Sequence, residues 1–209
     1  MREYLEATPV VVWDDPEVLA LARALARVRG GPVAVARSCF EWVRGEIRHS
    51  GDHRLDPVTC SASDVLRHGT GFCYAKSHLL AALLRANAIP AGFCYQRLSL
   101  DGYGAPFCLH GLNAVLLPGT GWYRIDARGD REGIETAFDP PVERLAFEPK
   151  LAGEATFDGI RPAPLPVVVE ALTEYRSYAQ LLDHLPDMEP GPSSKPGPPD
   201  CREQPCPGA

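Results

Sequence analysis

Cys73 lies in the stretch "TGFCYAKSHLLAALL", residues 70–84, directly before a long leucine-rich run. A thiol at the first turn of a helix meets unpaired backbone N–H groups and the positive end of the helix dipole. Both favour its thiolate. A nucleophilic thiol also needs a base within hydrogen-bond reach, and the base needs a third group to hold its ring. His110 lies inside the apolar run "FCLHGLNAV", and Asp126 follows in "GWYRIDARGD". Between them "PGTG", residues 118–121, reads as a tight hairpin turn, which sets residue 126 opposite about residue 113. His110 is then only a few positions along the neighbouring strand, close enough for a cross-strand hydrogen bond. Cys73, His110 and Asp126 together have the makings of a Cys-His-Asp triad.

Each of the three has a plainer reading on its own. A cysteine in a helix usually fills a core. A histidine between Cys108 and Leu109 on one side and apolar residues on the other is ordinarily a satisfied core histidine. Asp126 followed by Gly129 is ordinary turn chemistry. Their joint spacing is what favours catalysis. Cys39, Cys60, Cys94 and Cys108 have no base at comparable spacing and read as filler. His49 and His53 are four residues apart with Cys60 beyond, but Gly51 interrupts the helix that would align the two rings, and no Cys-x-x-Cys pair completes a tetrahedral set. No metal or other cofactor is expected. "ARGD", residues 127–130, contains an adhesion-type tripeptide that reads as chance.

The elements needed to position the three residues are legible along the chain. "YLEATPVVVW" reads as a short strand or extended entry. Asp14-Asp15-Pro16 then caps a helix whose apolar residues are Val18, Leu21, Ala22 and Leu25. Gly30-Gly31 ends it, and Pro32 opens a second helix with Val35, Cys39, Trp42, Val43 and Ile47 along one stripe. "GDHRLDPVTCSAS" reads as loop, Ser63 as the cap of a short helix over "DVLRHG", and Cys73 as the start of the long helix. That helix stops near Asn87, because Pro90 disfavours helical backbone before it. Cys73, Ser77, Leu80 and Leu84 would form its sheet-facing stripe. "AGFCYQRLSL", "FCLHGLNAVLL" and "GWYRIDA" follow as strands, "FDPPVERLAF" as a further extended segment, and "PLPVVVEALTEYRSYAQLLDHL" as a strand or turn and a C-terminal helix. Helices followed by an antiparallel sheet predict an α+β fold with the cysteine-bearing helix packed on the sheet. Residues 1–186 read as one domain, with its core at about 30–130. Residues 187–209, rich in Pro, Gly and Ser, read as a disordered tail carrying Cys201 and Cys206.

Composition limits the function classes. The chain has 209 residues, 45% of them hydrophobic and 23% charged, enough for one sizeable core. A formal net charge of -6 argues against nucleic-acid binding. No run approaches the roughly 18 apolar residues of a membrane span. The acidic start "MREYLEATPVVVWDDPEV" does not resemble a signal peptide. A cytoplasmic location is expected, with the seven cysteines as free thiols.

The cysteine at a helix start, "RANAIPAGF" after it, the strand histidine, and "GWYRID" around the aspartate together resemble the transglutaminase-like superfamily. That family typically shows "RAxGIPAR" and "GWxxLD" at the last two places. The resemblance covers roughly residues 30–130. It implies a papain-like core in which Cys73 is the nucleophile, His110 the general base and acid, and Asp126 the residue that orients the imidazole. Two positions depart from the pattern. "HGLNAV" replaces the common "HAWxEV", putting Leu112 and Asn113 where an aromatic and an acid are usual, and this change is expected to alter the floor of the substrate groove. "DARGD" replaces "DPT".

The implied chemistry is attack of the Cys73 thiolate on an amide or peptide carbonyl. The backbone N–H of Cys73 would meet the oxyanion, and His110 would protonate the leaving amine. Trp42 and His53 are the upstream candidates for a second oxyanion donor. Water is the expected acceptor of the thioester, since no D-x-[DN]-x-[DN]-G calcium loop of the kind linked to animal transglutaminases appears. The alternatives are a true amine-accepting transglutaminase, a peptide-binding scaffold without turnover, and an arylamine N-acetyltransferase-like acyl transferase. The last would need an "RGGxC" start, and "RHGTGFC" is the nearest thing here.

Overall fold

The computed structural model describes residues 1–129, 131–191 and 195–196. Asp15 Oδ1 accepts the N–H groups of Glu17 and Val18, and Pro16 opens α1 (Pro16–Leu25). Gly30 turns the chain at φ 123°, a conformation costly for any residue with a Cβ, into α2 (Gly31–Glu46). Next come β1 (Arg48–His49), α3 (Ser50–His53), α4 (Ala62–His68), β2 (Thr70–Gly71) and α5 (Cys73–Ala86).

Three local expectations change. The entry segment starts with a 3-10 turn over Arg2–Leu5 instead of a strand. The stretch expected to be loop after Ser50 contains α3. The cap of α4 is Ser61, whose Oγ accepts from the N–H of Asp64 at 3.1 Å, and not Ser63. Ser63 is already inside the helix, which starts two residues earlier than expected, where the Ala62 N–H also reaches Val10 O at 2.9 Å.

The larger change concerns α5. Every residue from Cys73 to Arg85 is buried, so the helix has no solvent face. It packs against α1, α2 and α4 on one side and the sheet on the other. Burial thus extends well beyond the expected stripe of Cys73, Ser77, Leu80 and Leu84: Lys76, His78 and Arg85 are buried too, each on a hydrogen-bond partner. Lys76 Nζ donates to Ile47 O, His78 Nδ1 lies 2.7 Å from Cys60 O, and Arg85 donates to the carbonyls of Glu6, Ala91 and Pro162.

The sheet contains β3 (Ala91–Ser99), β4 (Phe107–Leu117) and β5 (Gly121–Ile125), followed by a small hairpin of β6 (Ala137–Asp139) and β7 (Val142–Arg144). β8 (Ala155–Thr156) joins the far side of β3. Two helices, α6 (Pro166–Glu174) and α7 (Tyr178–Leu182), then lead to β9 (Lys195–Pro196) beside β8. The order is β5-β4-β3-β8-β9, antiparallel throughout. The α+β layout expected from the sequence is the one observed. Among the described residues, no helix is long and apolar enough to cross a membrane.

One register detail governs the site. β5 pairs with β4 only from Asn113↔Ile125 to Leu117↔Gly121. The first half of β4 therefore has an edge that β5 does not cover. Pro186 O covers part of it, accepting the Leu109 N–H at 2.7 Å. Beyond Pro186, Arg97 holds Asp187 through two hydrogen bonds of 2.7 Å and also reaches Glu189, while Leu185 and Met188 pack on the core. Residues 187–189 are thus docked, although the expected disordered tail was to begin at 187. Arg97 is the cause: a guanidinium with a side chain only 8% exposed requires paired acids, and these two lie within its reach. Cys201 and Cys206 lie outside the described residues.

Candidate active site

Cys73 is the first residue of α5, so its own N–H lacks an intrahelical partner. The thiol sits at the open edge of β4, where the Gly111 N–H donates to Sγ at 3.5 Å. Tyr74 OH donates to Leu109 O along the same edge. Glycine at 111 permits this approach: a Cβ there would lie 3.0 Å from Tyr74 Cδ1 and 3.3 Å from Tyr74 Cα.

His110 is the next residue along, and its Nε2 lies 2.7 Å from Asp126 Oδ2. With that nitrogen engaged, Nδ1 remains for the thiol, and His110 and Cys73 are close enough to shift one another's protonation. Asp126 follows the last paired residue of β5 and is itself tightly held. Its Oδ2 also accepts from the Ala146 N–H at 3.1 Å, and its Oδ1 from the Arg128 N–H at 3.1 Å. The Phe147 ring stands edge-on to His110, with centroids 4.9 Å apart. The structure therefore brings Cys73, His110 and Asp126 into one connected line.

Electrostatics follow from burial and charge. Burial alone pushes the Cys73 thiol up. The charge of His110, with hydrogen bonds from His110 and His49, outweighs it and brings the thiol down to about 6. Burial likewise disfavours a charged His110 ring, but Asp126 and Cys73 raise it to about 10. Asp126 is held below the ordinary carboxylate range, with His110 and the two backbone N–H groups outweighing its burial. The thiolate–imidazolium pair is the stable form at neutral pH. Elsewhere burial pushes Cys39, Cys94 and Cys108 up to about 12 and Cys60 up to about 11. Cys73 is the exception among the described thiols.

A cleft of about 600 Å³ opens over the thiol, lined by His49, Phe72, Leu98, Leu109, His110 and Phe147 among others. Leu112 and Asn113, expected to alter its floor, do not line it. Leu112 packs in a separate small cluster with Cys94 and Ala114, and Asn113 is fully buried. Asn113 Nδ2 donates to Ser77 O and Gly92 O, tying α5 to the sheet. Trp42 packs against the core and His53 lines a different recess. Neither lines the cleft.

His49 is the site residue that sequence reasoning missed as a partner of the thiol. In the sequence it stood out only beside His53 and Cys60, in a metal set that the Gly51 break argues against. The one available signal was the parallel pairing of Arg48-His49 with Thr70-Gly71, just before Cys73, and two-residue strands leave no periodicity to read. Arg128 of "ARGD" is buried, with Nη2 on Asp52 Oδ1 at 2.8 Å, which makes it a structural link and not a displayed adhesion motif.

A family model, described as the transglutaminase-like superfamily, matches residues 19–127. No curated protein matches the chain. Several solved structures resemble it. A candidate cysteine protease from Cytophaga hutchinsonii is 20% identical with a TM-score of 0.48, over 60% of this chain and 40% of that one. The periplasmic domain of TgpA from Pseudomonas aeruginosa is 22% identical with a TM-score of 0.43, over 59% of this chain and 45% of that one. A candidate protease from Parabacteroides distasonis is 13% identical with a TM-score of 0.43, over 74% of this chain and 31% of that one. The chain spans less than half the length of each of them.

Proposed function

This chain belongs to the transglutaminase-like superfamily, and on that footing we propose that it is a cysteine hydrolase acting on amide or peptide carbonyls through a thioester on Cys73. The observation that carries the reading is the His110 ring, fixed by Asp126 at 2.7 Å and hydrogen-bonded to a thiol with a depressed pKa.

The proposed steps draw on that arrangement. The Cys73 thiolate attacks the carbonyl carbon, and the oxyanion forms beside the Cys73 N–H at the start of α5. The C–N bond then breaks, and the His110 imidazolium gives its proton to the leaving amine. A water takes the vacated place, loses a proton to His110 and attacks the thioester carbonyl. The acid departs and the thiolate–imidazolium pair is restored. Asp126 keeps the ring's Nε2 engaged through both halves, so that Nδ1 is the nitrogen that moves protons. An amine in place of water would make the same thioester the intermediate of a transglutaminase. Water is preferred because it needs no acceptor site of its own. Free thiols at Cys39, Cys60, Cys73, Cys94 and Cys108 suit a reducing compartment such as the cytoplasm.

The test is a single-turnover assay with an activated acyl ester and with small peptide amides, read by intact mass. A mass increase that maps to Cys73, disappears in Cys73→Ala and decays in buffer supports hydrolysis. Decay only when a primary amine is added would instead favour transfer. No adduct on Cys73 with any carbonyl probe would sink the proposal.

A further inference from the structure

The thiol has a second histidine beside it. His49 pairs through β1 with Gly71, two residues before the nucleophile, and its ring stands edge-on to Phe72 with centroids 5.7 Å apart. His49, Cys73 and His110 line one cleft. Both rings lie near enough to the Cys73 thiol to help draw it down, His110 more than His49. His110 has a carboxylate behind it, and so does His49: Asp52 Oδ2 lies 3.4 Å from His49 Nδ1.

Several unrelated contacts fix His49 against the start of α5. Lys76, one turn beyond Cys73, donates to Ile47 O, two residues before His49. The hydroxyls of Ser50 and Thr70 meet at 2.9 Å. Asp52 is braced in turn by Arg128 at 2.8 Å, and Arg128 follows directly on the loop that carries Asp126. The ring is held from both sides, and its side chain is only 12% exposed.

The ring's orientation is set as well. The Asp52 backbone N–H lies 3.3 Å and its Oδ2 3.4 Å from His49 Nδ1, so that nitrogen is taken up by Asp52. With Nδ1 turned to Asp52, Nε2 is the nitrogen left for the thiol side, where its N–H can donate. His110 has the opposite arrangement, with Nε2 on its carboxylate and Nδ1 toward the thiol.

We propose that His49 is the second donor to the oxyanion formed when Cys73 attacks a carbonyl, acting beside the Cys73 backbone N–H. This inference rests on the reading of Cys73 as the nucleophile. It replaces Trp42 and His53, neither of which lines the cleft. His110 shuttles the proton; His49 steadies the charge on oxygen, and Asp52 with Arg128 are the positioning residues behind it.

Two probes separate these roles. Iodoacetamide alkylates a thiolate by displacement at carbon and forms no oxyanion, whereas p-nitrophenyl acetate acylates it through one. His49→Ala is expected to slow acylation of Cys73 by roughly a hundredfold or more, in the range for loss of one oxyanion donor. It should slow alkylation only a few-fold. His49→Gln, which keeps a neutral N–H donor, should recover much of the lost acylation and also covers the case in which the alanine variant does not fold. Equal acylation rates in the folded variants and the parent would overturn the proposal while leaving the hydrolase reading intact. Equal loss of acylation and alkylation would overturn it too, showing that His49 serves the thiolate and not the oxyanion. If the parent protein alkylates fast yet never acylates, the hydrolase reading falls and this inference with it.

Discussion

His110 and Asp126 meet at 2.7 Å across two strands whose pairing stops at Asn113 and Ile125. The contact therefore lies just past the end of the ladder, where the Asp126 carboxylate is free to accept from a ring and two backbone N–H groups together. The same end of pairing leaves the Gly111 N–H to face the Cys73 sulfur. A β5 longer by two residues would occupy the place of the thiol.

The first prediction concerns the charge on Cys73. With its pKa brought down to about 6, Cys73 should be the first of the cysteines to alkylate at pH 6, and its rate should be half-maximal near that pH. His110→Ala removes the largest stabilising charge and leaves burial unopposed, so the rate at pH 6 should fall about a hundredfold or more. Asp126→Ala should cost less. Peptide mapping after short iodoacetamide pulses measures all three. Unchanged labelling in His110→Ala would disprove the ion pair.

The second prediction is the pH dependence of stability. His110 rises from an ordinary 6.5 to about 10, so its contribution is complete below 6.5 and is lost as pH climbs toward 10. Cys73 falls from 9.0 to about 6, so its contribution is complete above 9 and is lost as pH drops through 6. Between 6.5 and 9 the two slopes oppose each other, and the parent protein should show a nearly flat profile there. Cys73→Ser removes one slope while Asp126 still holds His110 up. That variant should lose stability with rising pH, by at most about 1.4 kcal/mol per unit. Denaturant midpoints at several pH values decide it, and parallel profiles for the two proteins would contradict the assignment.

A third test addresses the close approach at Gly111. Gly111→Ala places a methyl 3.0 Å from Tyr74 Cδ1 and should cost about 1–3 kcal/mol by overpacking. Because the same contact seats the first turn of α5, thiol reactivity should fall as well. A variant as stable and as reactive as the parent would show that the helix start has slack.

The fourth prediction separates two truncations. Ending the chain after Gly191 keeps the ion pairs of Arg97 with Asp187 and Glu189, and the melting temperature should hardly move. Ending it after Pro186 strands a guanidinium whose side chain is 8% exposed, and should cost about 1.5–3 kcal/mol. Equal melting temperatures would mean that the docked segment adds nothing.

Much of this arrangement was legible in the sequence because it is local. A helix end marked by Pro90, a hairpin turn at "PGTG" and apolar runs of strand length put Cys73 at a helix start, His110 on a strand and Asp126 at the end of the next. What escaped had non-local causes. The burial of α5 on all sides depends on three other helices, so the sequence showed only its sheet-facing stripe and not the buried places of Lys76, His78 and Arg85. His49 reaches Cys73 through a two-residue parallel bridge, too short to leave a pattern. Asp187 and Glu189 sit in a Pro-rich stretch whose composition predicts disorder, and only the guanidinium of Arg97, about 90 residues earlier in the chain, reveals that they are needed.

The seal that Pro186 makes on β4 also has a consequence for chain order. Synthesis runs from the N-terminus, so Cys73, His110 and Asp126 all leave the ribosome well before Pro186 does. Until then the Leu109 N–H lacks the carbonyl it finds in the finished fold, and a nascent β4 presents bare backbone to any extended segment nearby. Only when residues 185–189 dock is that edge of the histidine-bearing strand closed. A released chain ending before Pro186 should accordingly be captured by β-strand peptides that ignore the full chain, and equal capture of both would refute the idea.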